Sequence, residues 1–503
     1  MAFKSTQYDV VLVYPPAEVI LEIYDEPDFP SIGIAYLGNY LERHAGITPA
    51  LIDARLSRLS VEETIEQIVA LQPKIVGIGA MTSMIATANK VMQGVKLRLP
   101  NVAIVLGAFH ATFLPERTIN EFPVFDYLVV GEGEESFTEL VKRILSNADC
   151  HGIPGVWFRD KFHIVQSGRG SIPPTLDELG EPGWHLFDPD IMKKYVRSLP
   201  VMSQRGCPFS CTFCSRPYGQ LVRKRSPERV LDEIAKNVET YGVDKIHFYD
   251  ETFTVDKRHV EALCNGLIER GLSGKVGFTC LVHANTIDQD LADLLKKAGC
   301  IYVGFGVESG DVDIMKQMKK GVTKERVVRA RKVLKNAKIT TMGFFMVGHP
   351  YETRATIFRT IRFMIQLNPD VAAIGIVVPY PGTETWKMAI SGEGGYVNMS
   401  PNWDDYNKQL GNAVELRDIS RREIEFYQLL GYFFMYAFNF RFKDLFTVAK
   451  EHLPLVLAIV GKILFPKRIY DSYALYRKDG GKMHLKTDTG RTTKAWGAKN
   501  DGK

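Results

Sequence analysis

The sequence predicts an α/β protein built from a doubly wound, Rossmann-like N-terminal domain, a (β/α)6 partial TIM barrel and a helical C-terminal cap. Three observations predict it. Apolar strand-like runs alternate with helix-period stretches in two separate series, a Gly/Pro-punctuated stretch divides the series, and after Gly394 the strand pattern gives way to an aromatic-rich helical one. The 503 residues, 45% hydrophobic and 24% charged, suffice for several cores. The formal charge of +5 is spread along the chain, so no nucleic-acid partner is implied.

In the first series the runs DVVLVYP, KIVGIGA, VAIVLGA and FDYLVVG are separated by amphipathic segments such as SVEETIEQIVALQ. Five strands with intervening helices imply a parallel sheet over residues 1–148, with a ligand crevice at the carboxyl ends of its strands. Residues 149–195 carry many turn signals and a short hairpin-like pattern, and read as a linker. Residues 196–395 then repeat strand and helix six times, through LPVMSQ, DKIHFYD, KVGFTC, CIYVGFGVES, TTMGFFMVG and VAAIGIVV. In such a barrel the chemistry belongs on loops after the strands.

Residues 396–476 read as helical, and 477–503 as a disordered basic tail. The aromatic stretch YFFMYAFNF beside Arg441, Lys443 and Lys450 suits either a cap on the barrel or a face toward a membrane or lipid substrate. The longest apolar run, Leu453 to Phe465, is shorter than the roughly 18–20 residues of a spanning helix and contains a lysine. The N-terminus lacks a secretory-signal pattern, which with the clustered cysteines places the protein in the cytoplasm, with peripheral membrane contact as an option.

Seven cysteines are present, and three fall in RGCPFSCTFCSRPYG as C-x3-C-x2-C, directly after the first barrel strand. A structural zinc site wants a fourth ligand, and only His247 or Cys280 returning in space offers one. A 4Fe-4S cluster ordinarily takes four cysteines, so three leave one iron open to another ligand. Cys150, Cys264, Cys280 and Cys300 read as isolated, mostly buried thiols.

The Cys207, Cys211, Cys214 motif resembles that of radical S-adenosylmethionine (SAM) enzymes. The resemblance implies a 4Fe-4S cluster on these cysteines, SAM chelating the open iron, and Phe213 near the adenine. It also implies that Asp250 and Glu251 of YDET meet the SAM amino group, although acidic residues there also suit a helix start. Glu308 and Ser309 of GVESG would touch the ribose or methionine part, and Gly343 and Val347 of GFFMVGHPYET would lie beside adenine.

The N-terminal segments YPP, GIGAMTSM, GAFHATFLPE and VVGEGEESFTELV resemble the cobalamin-binding domain of one class of these enzymes. Around the corrin this implies Pro15, Thr82, Ser83, Gly107, Ala108, His110, Gly131, Glu132 and Gly133. Ala108 and Phe109 stand where the family has glycine and proline, and the D-x-H-x-x-G motif is absent, so His110 is not expected as a lower axial ligand.

By the same resemblance the protein is a cobalamin-dependent C-methyltransferase acting on an unactivated carbon of a hydrophobic or natural-product substrate through a 5'-deoxyadenosyl radical. An external flavodoxin- or ferredoxin-type electron donor is implied. A radical cyclase or oxidase of a porphyrin or lipid, similar to the anaerobic Mg-protoporphyrin cyclases, is the second reading; a non-catalytic iron-sulfur sensor or electron carrier is the third. No cysteine precedes Cys150 or follows Cys300, which makes one cluster the economical count.

Overall fold

The structure, a computed structural model, describes residues 8–17, 28–161, 163–173, 175–407, 412–451, 474–479 and 482–487. They fall into two compact units. One holds the chain through Cys207 together with Arg216–His247; the other holds Pro208–Ser215 and the chain from Phe248 onward.

In the first unit, β1 (Val10–Tyr14), β2 (Ala50–Asp53), β3 (Ile75–Gly79), β4 (Ala103–Gly107) and β5 (Tyr127–Val129) pair in parallel in the order β2-β1-β3-β4-β5. Val10 to Val13, Ile75, Val76 and Ile104 to Leu106 are all buried, because both faces of a parallel sheet are covered. Helices α1 (Ile32–Ala45), α2 (Val61–Ala70), α3 (Ile85–Arg98) and α4 (Glu134–Leu145) form the connections. Ser60 and Glu63 start α2 with a reciprocal capping box, and Gly46 ends α1 in the left-handed region. Strand order reverses between β1 and β3, which puts the switch-point crevice at their carboxyl ends.

The stretch that reads as a linker does more than connect. Its hairpin, β6 (Val156–Asp160) and β7 (His163–Gln166), adds antiparallel to β5 and brings the sheet to seven strands. Trp184 and Phe187, stacked at 6.2 Å, join the same core.

The barrel strands are β8 (Leu199–Val201), β11 (Lys245–Phe248), β12 (Gly277–Val282), β13 (Cys300–Glu308), β14 (Thr340–Val347) and β15 (Val371–Ile376). Between β8 and β11 lies the short antiparallel pair β9 (Gln204–Arg205) and β10 (Arg223–Lys224). The six strands lie in the order β15-β14-β13-β12-β11-β8, a series with two open ends, as a partial barrel has. Helices α5 (Pro227–Tyr241), α6 (Lys257–Glu269), α7 (Gln289–Lys297), α8 (Lys324–Asn336) and α9 (Arg354–Leu367) follow the strands in turn. β12 to β15 pair in parallel, with a register shift between Gly306 and Glu308.

The C-terminal region is not wholly helical. β16 (Tyr396–Met399) and β17 (Val414–Leu416) pair antiparallel ahead of α10 (Arg421–Phe438) and α11 (Phe442–Glu451). α10 covers β15, where Gln428 Nε2 donates to Ile374 O at 2.6 Å and Ile374 N donates to Tyr432 Oη at 2.9 Å. The region read as a disordered tail is corrected in part: β18 (Ala474–Asp479) and β19 (Lys482–Thr487) form an antiparallel hairpin. The apolar run Leu453 to Phe465 lies outside the described residues.

Candidate cofactor sites

At the switch-point end of the first sheet, Gly79 and Gly107 are register partners. A Cβ on Gly107 would meet nothing within 4 Å, and one on Gly79 only Ala108 Cβ at 3.7 Å. These strand ends are therefore bare, as a broad planar ligand requires. Pro15 is buried just past β1, and Thr82 and Ser83 form a 3-10 turn after β3. His110 is fully buried, with Nδ1 3.3 Å from Thr82 Oγ1 and its ring edge-on to Phe122. Burial pushes its imidazole down to about 3, so it stays neutral.

Ala108, where the family has glycine, has φ +69°, a conformation that costs an L-residue roughly 1–2 kcal/mol. Ala108→Gly relieves that strain at the cost of unfolded-state entropy. Thermal unfolding is expected to show a gain of about 0.5–1 kcal/mol.

The GEGE segment does something else. Glu132 Oε2 accepts from Arg205 Nη1 at 2.6 Å, Glu134 Oε1 accepts from Arg205 Nη2 at 2.6 Å, and Arg223 pairs with Glu132; all four side chains are buried. Burial alone would raise the Glu134 carboxyl, but the Arg205 guanidinium holds it below its ordinary value. Glu132, expected near the corrin, thus has its carboxylate engaged by two arginines. Gly131 has φ +98° and its N–H donates to Thr112 Oγ1, so backbone conformation accounts for it; a Cβ on Gly133 would make only ordinary contacts with Leu37 and Val129.

Arg205 and Arg223 are cross-strand partners in β9 and β10, so the same ion pairs fasten the base of the cysteine loop. Next in the chain, Gly206 has φ +102°, and a Cβ there would lie 2.1 Å from Leu221 O. Only glycine fits before Cys207. Cys207 N donates to Gly219 O at 3.1 Å and Cys214 N to Cys211 O at 3.2 Å. Farther along, Thr212 N donates to Met318 O and Thr385 N to Thr212 O. Cys214 is exposed and Cys207 and Cys211 half-buried, whereas the other four cysteines are buried.

Those other thiols are not all isolated. Cys280 lies near Cys300, whose Sγ donates to Tyr302 O at 3.6 Å, and burial pushes Cys264 up to about 12, which suits packing and not metal binding.

Around the loop's second half, Phe209 stacks on His283 at 3.8 Å, and Phe213 lies edge-on to His349 at 6.4 Å. Lys320 Nζ stands 6.0 Å from the Phe213 ring and pairs with Glu308 Oε1 at 2.5 Å, both side chains buried. Glu308 takes φ +65° at the register shift, and Gly306 leaves room for the pair, since a Cβ there would lie 2.0 Å from Glu308 Oε1 and 2.2 Å from Lys320 Nζ.

Ser309 is fully buried, with Oγ 3.0 Å from Thr360 Oγ1 on α9 and accepting from Asp311 N. Asp250 is buried and Glu251 half-buried after β11. Val347 is buried at the end of β14, but Gly343 lies in the first half of that strand, where a Cβ would press on Phe345 and Pro369. The glycine at the strand's end is Gly348, with φ +87°.

Sequence reasoning missed three residues here. His349 is 1% exposed and neither ring nitrogen has a hydrogen-bond partner; burial and the nearby Lys320 charge push it down to about 3. Glu352 Oε2 accepts from His349 N at 2.9 Å and from Gly348 N, while Oε1 is unpartnered. Lys320 is the third. A buried imidazole next to the cluster-loop aromatic, with both nitrogens unsatisfied, fits a polar heterocyclic ligand such as adenine.

Burial pushes the Glu352 carboxyl up to about 8. The folded chain therefore holds a proton that the unfolded chain has lost, so its stability falls as pH rises from about 4.5 to 8, by up to about 1.4 kcal/mol per unit. Glu352→Gln is expected to remove that slope in urea melts taken across this range.

A doubly wound domain with bare strand ends and a partial barrel opening on a three-cysteine loop define a two-domain cofactor enzyme. Residues 201–364 match the radical SAM superfamily model and residues 21–141 the B12-binding domain model. An uncharacterized methyltransferase of Pyrococcus horikoshii is 31% identical over 82% of this chain and 89% of its own length. The anaerobic magnesium-protoporphyrin IX monomethyl ester cyclase of Cereibacter sphaeroides is 31% identical over 71% of this chain and 60% of its own. The fold is shared with the cobalamin-dependent S-adenosylmethionine radical enzyme OxsB, solved with aqua-cobalamin and S-adenosylmethionine bound: TM-score 0.72, 16% identity, 90% of this chain and 72% of that one.

The chain belongs to the radical SAM superfamily, in its cobalamin-dependent methyltransferase family. It is an enzyme whose cofactors are a 4Fe-4S cluster, SAM and cobalamin.

Proposed function

We propose that the protein transfers a methyl group to an unactivated carbon of a hydrophobic small molecule. The observation that carries this is the bare pair of strand ends at Gly79 and Gly107, in a chain that also carries the cysteine loop. When bound, the cofactors supply a low-potential electron, a hydrogen-abstracting radical and a transferable methyl group.

The chain's own part is to hold and to exclude. Cys207, Cys211 and Cys214 would ligate three irons, leaving the fourth for SAM, with Phe213 and His349 against its adenine. Lys320 fixes Glu308 at the end of β13, where Glu308 and Ser309 would meet the ribose or methionine part of SAM. Asp250 and Glu251 follow β11 as candidate partners of the SAM amino group. Pro15, Thr82, Ser83, Gly107 and Ala108 would line the corrin seat. The electron would come from an external flavodoxin- or ferredoxin-type donor.

The experiment is turnover of the reduced, cobalamin-loaded protein with methyl-deuterated SAM and a panel of isoprenoid and porphyrin substrates. Product carrying the deuterated methyl group is expected. Deoxyadenosine with an unmethylated, oxidised product would instead favour the second reading, which the cyclase relative supports. An intact cluster that never cleaves SAM would leave the sensor reading.

A further inference from the structure

We propose that α10, α11 and the turn between them form a docking face for an anionic lipid surface. The inner side of α10 is committed to the sheet: Ile424, Gln428, Gly431 and Met435 are buried, and a Cβ on Gly431 would lie 2.9 Å from Ile374 Cδ1. The outer side is aromatic. Phe426 is 46% exposed, Phe433 51%, Phe438 62%, Phe440 83%, Phe442 60% and Phe446 71%.

Together these rings leave roughly 700 Å² of aromatic surface in water. Phe426 and Phe433 lie two turns apart on α10, and Phe442 and Phe446 one turn apart on α11. Ring contacts run from Phe433 through Phe434 to Phe438, at 5.8 and 5.2 Å, and from Phe440 to Phe442 at 6.5 Å.

The flanking charge selects the occupant. Lys443 and Lys450, both exposed and two turns apart on α11, form no ion pair among the described residues. Two copies packed isologously through this strip would set like charge against like; acidic headgroups would neutralise it. Phenylalanines beside lysines, on helices that lie on the molecule's surface, are the composition of an interfacial helix. The sequence past Glu451 continues the same chemistry, LPLVLAIVGKILF followed by PKR. No described helix is long and apolar enough to cross a membrane.

The test is flotation of the full chain with phosphatidylcholine vesicles, with and without phosphatidylglycerol. Binding is expected to the anionic vesicles, to weaken with added salt, and to fall at least tenfold in the Phe438→Ser, Phe442→Ser, Phe446→Ser triple variant. Lys443→Glu with Lys450→Glu, at two exposed positions that leave the fold untouched, is expected to abolish the preference for phosphatidylglycerol. Failure of the unmodified chain to float overturns the proposal, as does a folded triple variant that floats equally well. A dimer that the phenylalanine variant converts to monomer, with no flotation, assigns the face to a second copy instead. None of these readouts involves cofactor or turnover, so the methyl-transfer reading stands or falls separately.

Discussion

Cys211→Ala is expected to yield a folded protein without its iron-sulfur chromophore and with SAM cleavage at background. A cluster held by three thiolates has no spare ligand, and the other four cysteines are buried elsewhere. The triple variant of Cys207, Cys211 and Cys214 is expected to be no worse than the single one, because residues acting as one unit do not lose activity additively. Cys264→Ala is the control: it removes a buried thiol from packing, costs about 1–2 kcal/mol and leaves iron content unchanged. Iron and sulfide quantification with anaerobic SAM cleavage checks all three. Full iron in the Cys211 variant would sink the assignment.

Glu132→Gln is expected to destabilise the protein by about 3–5 kcal/mol, since it leaves Arg205 and Arg223 buried with Glu134 as the remaining carboxylate. Unfolding of the variant, followed by heat or urea, measures it. The loop between β9 and β10 should loosen as well, lowering iron occupancy in the as-purified protein. If Glu132 instead served only the corrin, stability would be unchanged and cobalamin retention alone would drop, so the two measurements separate the roles.

Most of the architecture was legible because parallel strands buried on both faces read as apolar runs and their helices as amphipathic ones. The cysteine loop was marked by its spacing together with its place directly after the first barrel strand. The arginine–carboxylate lock was not, because Glu132 meets Arg205 from 73 residues away and nothing local marks either as a partner. The GFFMVGHPYET resemblance singled out Gly343, whereas the glycine at the end of β14 is Gly348, with φ +87°. His349 and Lys320 belong to no periodic pattern, and only burial reveals an imidazole without partners and an ammonium committed to Glu308.

The second half of the cysteine loop is held by two backbone hydrogen bonds, in which Thr212 N donates to Met318 O and Thr385 N donates to Thr212 O. During synthesis the three cysteines therefore leave the ribosome long before the segments that shape their loop exist. A nascent chain can offer thiols, but not the seat. Cluster insertion is therefore expected to wait until the chain has been made through Thr385, and a chain truncated before Thr385 is expected to emerge as an iron-free protein.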